Sequence, residues 1–217
     1  MNRTIAVKGT GNIRLKPDMT VISMTLKTTD KDYDKAMEQA SAALSALRDA
    51  LASVGFAEND LKTLRFNVST EYESRQDSHG VFKSVFVGYS CIHGLKLEFD
   101  FDTKRMSAVL NAISGCIADP ELNIQFSVRD KDSACDELLR SAAENAKHKA
   151  EVLANASGVS LGQLVSIDYN WKDLNIYSRT EYASNRKCMT MSAGSDMSFE
   201  PDDIDLSDSA SFIWEIV

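Results

Sequence analysis

The chain has 217 residues, of which 43% are hydrophobic, and it carries a net charge of −8. This length is enough for one large or two small domains, and the hydrophobic share is too high for a disordered protein. No Lys or Arg follows Lys187, so the chain has an acidic end on a nearly neutral body. Such an end is repelled by phosphate backbones, and we therefore expect no nucleic-acid partner.

The sequence also gives expectations about membranes and redox state. No apolar run approaches the roughly 18 residues that would span a bilayer, and the first eight residues lack the apolar core of a signal peptide. The chain as given is therefore predicted to be cytoplasmic, or periplasmic or at the cell surface if a leader has been removed. Its four cysteines form no C-x-x-C pair, and their wide spacing favours reduced thiols.

The first predicted elements are two strands. Apolar residues of one parity flank Gly9-Thr10-Gly11, which predicts a strand over 5–15 with a bulge or bend at the glycines. A turn at Pro17-Asp18 leads into a second strand over 19–29, and we expect the two strands to form a hairpin. Glycines also open phosphate-binding loops, but Arg14 replaces the third glycine and no helix follows, which argues against a nucleotide site.

Three amphipathic helices are predicted, each preceded by an Asp that can cap its first turn and followed by a Gly that ends it. They lie between Asp32 and Gly55, between Asp102 and Gly115, and between Asp130 and Gly158. In the third helix, alanines at 142, 146 and 150 form a flat stripe that permits close packing.

The strand predicted over 81–101 is the most distinctive element. Its odd positions are apolar or aromatic except for one histidine, and they are Val85, Val87, Tyr89, Cys91, His93, Leu95, Leu97, Phe99 and Phe101. Strict alternation predicts that this face is buried. A straight strand of this kind would span about 55 Å at roughly 3.3 Å per residue. We therefore expect bends at Gly88 and Gly94, or a projecting ribbon that meets another subunit.

Shorter strands are predicted at 64–72, 122–128, 165–169 and 212–216, whereas residues 171–204 show no sustained period and are predicted to form a long, mobile loop. The fold class is therefore α+β, with elements in the order ββαββαβαββ. We expect one antiparallel sheet of long, bent strands with three helices packed on one face, in a single domain over 1–217.

The candidate ligands and nucleophiles are few. Cys91 and His93 point to the same side of their strand and could begin a metal site, but zinc needs three or four ligands. They are therefore interpreted as core residues, and no catalytic residue, cofactor or metal is predicted. Cys188 follows Arg186-Lys187, and nearby cations lower the pKa of a thiol, which makes Cys188 a candidate redox residue. The alternative is an incidental surface cysteine, because no resolving cysteine lies nearby in sequence.

Several short motifs follow one another along nearly the whole chain. They are Ile5-x-Val7-x-Gly9-x-Gly11, Lys16-Pro17-Asp18, Asp60-Leu61-x-Thr63-x-x-Phe66-x-Val68, Gly88-Tyr89, Ile124-x-Phe126, the A-x-x-x-A-x-x-K-A pattern of 142–150, and Gly158-x-x-Leu161-Gly162. In this order they resemble the SIMPL domain family, long catalogued as a domain of unknown function. The resemblance implies a bacterial protein that is periplasmic or surface-associated, with links to oxidative-stress tolerance, or an animal protein associated with a pelle-like kinase. It supplies no catalytic residues.

These observations predict a non-enzymatic assembly or interaction protein, with a stress-related role implied by the resemblance. A long apolar strand invites pairing with another chain, and the predicted partner is a second copy, bound through strand 81–101. The alternatives are a thiol-based redox sensor or enzyme that uses Cys188 or a Cys91/His93 site, and a binding module for a small apolar ligand.

Overall fold

The structure is a computed structural model that describes residues 3–76, 82–170, 174–184 and 200–217. Within these ranges it has three α-helices and eight strands in two antiparallel sheets, which confirms the α+β class. The strands are β1 (Thr4–Leu15), β2 (Met19–Asp30), β3 (Leu61–Gln76), β4 (Phe82–Asp100), β5 (Glu121–Ser127), β6 (Leu161–Asp168), β7 (Tyr177–Ser184) and β8 (Ile204–Ile216). The helices are α1 (Tyr33–Ser53), α2 (Thr103–Ser114) and α3 (Lys131–Ala156). In the described residues, no helix is both long and apolar enough to cross a membrane.

Contacts divide the chain into two compact units. The first unit comprises 1–18, 127–179 and 201–217, and it contains α3 and the sheet β1-β8-β6. The second unit comprises 19–126 and 180–200, and it contains α1, α2 and most of the sheet β3-β4-β2-β5-β7. The prediction of a single domain over 1–217 stays a prediction.

In the first unit, β1 pairs with the last strand of the chain. The antiparallel register runs without interruption from Thr4 opposite Glu215 to Leu15 opposite Ile204. The predicted β1–β2 hairpin is therefore wrong, and so is the predicted bulge at the glycines. The linker between β1 and β2 is bonded to the end of β5 and the residues after it. The Asp18 N–H donates to the Ser127 carbonyl (3.1 Å), and the Asp18 carboxylate accepts from the Arg129 N–H (2.8 Å).

The glycines of β1 serve a contact with α3. A Cβ at Gly11 would lie 2.9 Å from the Ala142 nitrogen, so glycine lets the helix backbone approach the strand backbone. Ala142, Ala146 and Ala150 are buried along this contact, as the predicted alanine stripe requires. The predicted ends of the helix are also confirmed. Asp130 accepts a hydrogen bond from the Ser133 N–H, and Gly158 follows the helix with a φ of +72°.

In the second unit, β4 lies between β2 and β3 and pairs with both. The β3–β4 register shifts twice, at Thr63/Arg65 and at Glu71/Tyr72. Their β4 partners include Gly94 and Gly88, so the irregularities lie at the two predicted bends. The largest core cluster joins these strands and β5 to α1 and α2, and its members that are at most 2% exposed are Ile22, Met24, Leu26, Leu47, Leu51, Leu95, Leu97, Met106, Val109, Ile113, Ile124 and Phe126.

The remaining predictions about architecture need correction. The strands form two sheets instead of one, and α3 packs on the first-unit sheet, so three helices on one face of a single sheet is wrong. The segment 171–204 is not one loop, because β7 lies within it and β8 begins at its end. The order of described elements is therefore ββαββαβαβββ. β7 was missed because a serine, Ser178, occupies a buried position of the strand.

Candidate interaction surface on the β3–β4 hairpin

The β3–β4 hairpin extends beyond the rest of its sheet. β2 pairs with β4 only as far as the pair Asp30–Tyr89. Beyond that point, the residues 82–88 of β4 pair only with β3 in the described part of the chain. We call residues 71–76 and 82–88 the outer hairpin. All residues at 73–76 and 82–86 are exposed, so this two-stranded ribbon has neither a helix nor a third strand over it in the described part of the chain.

One face of the outer hairpin is aromatic. Tyr72 lies opposite Phe86, and Gln76 lies opposite Phe82, which places these rings on one side of the ribbon. Ring contacts link Tyr72 to Phe86 at 5.7 Å, Phe86 to Tyr89 at 5.4 Å, and Tyr89 to Tyr33 of α1 at 5.5 Å. With Phe66 on the same face of β3, these six residues form what we call the aromatic stripe. Exposed apolar patches of this kind mark interaction sites.

The opposite face of the outer hairpin is charged. Glu73 lies opposite Val85, and Arg75 lies opposite Lys83. The Glu73 carboxylate accepts from the Arg75 guanidinium at 3.0 Å, and Glu71 pairs with Lys27 of β2. The hydrogen bond from Lys27 lowers the pKa of the Glu71 carboxyl. The ribbon therefore has one face suited to solvent and one suited to a partner.

The outer hairpin also corrects the predicted parity of β4. Glu71 pairs with Gly88 while Tyr72 pairs with Phe86, so Val87 is an extra residue in β4. This bulge moves Phe82 and Phe86 onto the stripe and puts Val85, 40% exposed, on the charged face. The prediction that Val85 belongs to the buried face is therefore wrong. Gly88 was the signal that could have located the change of parity.

Cys91 and His93 occupy the inner, buried end of the face that carries the stripe. Cys91 is 1% exposed and His93 is 8% exposed, which confirms the interpretation of both as core residues. His93 Nε2 lies 3.0 Å from Thr63 Oγ1, and its ring meets the edge of Phe66. Burial lowers the pKa of His93, and the positive charge of Arg48 lowers it further. Both effects favour the neutral imidazole, which packs in the core as an uncharged side chain.

The arrangement around Cys91 and His93 does not assemble a ligand set. Cys91 Sγ lies 3.9 Å from Met37 Sδ, and no cluster of three His, Cys, Asp or Glu side chains occurs in the described ranges. Cys91, Cys116 and Cys135 are free thiols. Burial raises the pKa of Cys135, and the carboxylates of Asp132, Asp136 and Asp208 raise it further, which makes this thiol a weak nucleophile. The redox candidate Cys188 lies outside the described residues.

Two surface grooves of the first unit are polar. The larger, of about 490 Å³, is lined mainly by charged and hydroxyl side chains of α3, including Asp136, Glu137, Arg140 and Glu144. The smaller, of about 180 Å³, lies beside Asp208, whose carboxylate accepts from the Tyr169 hydroxyl at 2.8 Å. Neither groove is lined by a histidine or a cysteine.

A family model described as SIMPL, protein of unknown function (DUF541), matches residues 5–214. The "26 kDa periplasmic immunogenic protein" of Brucella melitensis biotype 1 is 29% identical over 171 residues, which cover 75% of this chain and 65% of that protein. The "Uncharacterized protein YggE" of Edwardsiella ictaluri is 25% identical over 76% of this chain and 67% of its own length. YggE of Escherichia coli K12 is 24% identical over 76% and 65%. The match thus spans just under two thirds of the Brucella protein. With its family model matched over nearly its whole length, this chain belongs to the SIMPL family.

Proposed function

We propose that this protein is a non-enzymatic assembly protein whose β3–β4 hairpin binds a second copy of the chain. The observation that carries the proposal is the aromatic stripe. Phe66, Tyr72, Phe82 and Phe86 are between 42% and 68% exposed on one face of the β3–β4 hairpin, the last three of them on its two-stranded outer part. A large apolar surface on an otherwise uncovered two-stranded ribbon is typical of an interface.

The magnitude of this surface supports self-association. A buried aromatic side chain removes roughly 150–250 Å² from water, so covering the exposed parts of Phe66 and Tyr72, the two rings carried by β3, removes about 200 Å² per copy. At about 25 cal/mol per Å², two copies gain about 10 kcal/mol. This gain is similar in size to the roughly 4–15 kcal/mol of freedom lost on association, so the rings contribute to the contact but do not drive it alone.

A binding role also agrees with the names of the relatives. Those names give a location and an immunogenic property, or state that the protein is uncharacterised, and none describes a reaction. The Brucella protein is named as periplasmic, which supports the branch of the location prediction in which a leader has been removed. We extend that location to this chain. Fractionation of cells that express the whole gene tests it, and recovery in the cytoplasmic fraction would contradict it.

Light scattering of stripe variants tests the assembly. The wild-type chain is expected at a multiple of its 23.9 kDa mass, and Tyr72→Ser combined with Phe86→Ser is expected to reduce that mass. The matched control is Ile117→Ser, because Ile117 is 97% exposed in the second unit but lies outside the stripe. A monomeric wild type, or a double variant with unchanged mass, would overturn the proposal.

A further inference from the structure

We propose that the two copies join antiparallel, β3 against β3, about a twofold axis at Ser69. This inference rests on the proposed function and specifies its interface. β3 is the terminal strand of its sheet, and in the described part of the chain it pairs on one side only, with β4. From Lys62 to Gln76 only Val68 and Glu71 are even partly buried. A free edge of this length is a template for another strand.

Side-chain direction limits the possible registers. In an antiparallel pair, residues directly opposite each other lie on the same face of the sheet. With a twofold axis perpendicular to the sheet, even-numbered residues of one copy must therefore lie opposite even-numbered residues of the other, and odd-numbered opposite odd-numbered. The axis must then coincide with a residue. From Arg65 to Gln76 the pairing leaves no extra residue in β3, so this rule applies throughout that segment.

An axis at Ser69 matches both faces at once. On the stripe face, Phe66 lies opposite the other copy's Tyr72, which creates two aromatic cross-strand pairs. On the charged face, Arg65 lies opposite Glu73, and the symmetry again makes two such pairs. Aromatic pairs and opposite charges are the favourable cross-strand combinations.

Neighbouring registers lack this agreement. An axis at Thr70 would place Arg65 opposite Arg75, so two pairs of like charges would face each other. An axis at Val68 would place Tyr72 opposite Leu64, which is the extra residue at the first register shift of β3. That axis also separates Phe66 from Tyr72. Of these three centres, Ser69 alone brings together complementary charges and complementary rings.

Charge reversal tests the register. Arg65→Glu would set two carboxylates against each other at this pair, and Glu73→Arg would set two guanidinium groups against each other. Each variant alone is therefore expected to self-associate at least about tenfold more weakly. An equimolar mixture restores opposite charges at both positions, and we expect it to recover the wild-type mass as a mixed assembly. Lys104→Glu is the control, because it makes the same kind of change at an exposed site of α2.

The outcomes separate this inference from the proposed function. A monomeric wild type would overturn both. An oligomeric wild type whose mass is unchanged in Arg65→Glu and in Glu73→Arg would overturn the Ser69 register and leave self-association standing. Weakened single variants that fail to recover on mixing would also contradict the register, since only a direct Arg65–Glu73 contact predicts mutual rescue.

Discussion

Gly11→Ala tests the close approach of α3 to β1. The added Cβ would lie 2.9 Å from the Ala142 nitrogen, and closer still to the Leu138 carbonyl oxygen. Both are helix backbone atoms, so no side chain can rotate away, and α3 must move by more than about 1 Å to restore ordinary contact with the Leu138 oxygen. Overpacking destabilises the fold by roughly 1–3 kcal/mol. Replacing glycine by alanine offsets about 0.5–1 kcal/mol of this, because it lowers the conformational entropy of the unfolded chain. Because the contact is with backbone, we take the upper part of that range and expect a net loss of about 2 kcal/mol.

Gly115→Ala is the matched control. Gly115 has a φ of −82°, which alanine adopts freely, and a Cβ there would lie 3.6 Å from its nearest neighbour, in ordinary contact. Only the gain from the unfolded chain remains, so this variant is expected to be as stable as the wild type or slightly more stable. Urea unfolding followed by circular dichroism measures both free energies. If Gly11→Ala unfolds at the same urea concentration as Gly115→Ala, the reasoning about the helix–strand contact is refuted.

Three other side chains give tests of stability and burial. Because burial lowers the folded-state pKa of His93, the unfolded chain protonates this histidine before the folded chain does as pH falls below about 6.5, and the free energy of unfolding decreases with pH. His93→Gln should reduce this pH dependence of the unfolding free energy in denaturation curves, and an unchanged dependence would contradict the burial of His93. Asp130→Ala should cost about 1 kcal/mol by removing the cap of α3, while Asp130→Asn should cost little, as urea unfolding would show. Cys91, 1% exposed, should react with a thiol reagent far more slowly in native than in denatured protein; equal rates would show that it is not core.

Local features of this fold could be predicted from the sequence. Asp32, Asp102 and Asp130 cap the three helices as predicted, because a capping hydrogen bond reaches only two or three residues along the chain. The burial of β4 from Cys91 to Phe99 also follows the predicted alternation. The helix caps and the alternation both depend on residues that are close together in sequence, so they can be recognised without knowing which element packs against them.

Features that depend on distant partners could not be predicted in this way. β1 and β2 look like a hairpin, but β1 pairs with a strand at the far end of the chain, and no local pattern encodes that choice. β7 escaped detection because Ser178 is buried through a hydrogen bond to the Asp202 carbonyl, where alternation requires an apolar residue. The aromatic stripe was only half visible, because the bulge at Val87 changes the parity that a fixed period of two assumes.

Hydrogen exchange along β3 tests most directly whether a second copy covers its edge. In an isolated chain, alternate amides of 65–73 point away from β4 and exchange quickly, while the others are held by the β3–β4 ladder. We expect both sets to exchange slowly in the native wild-type protein, and Arg65→Glu to return the outward set to fast exchange. Fast exchange of the outward amides in the wild-type protein would contradict the proposed β3–β3 contact.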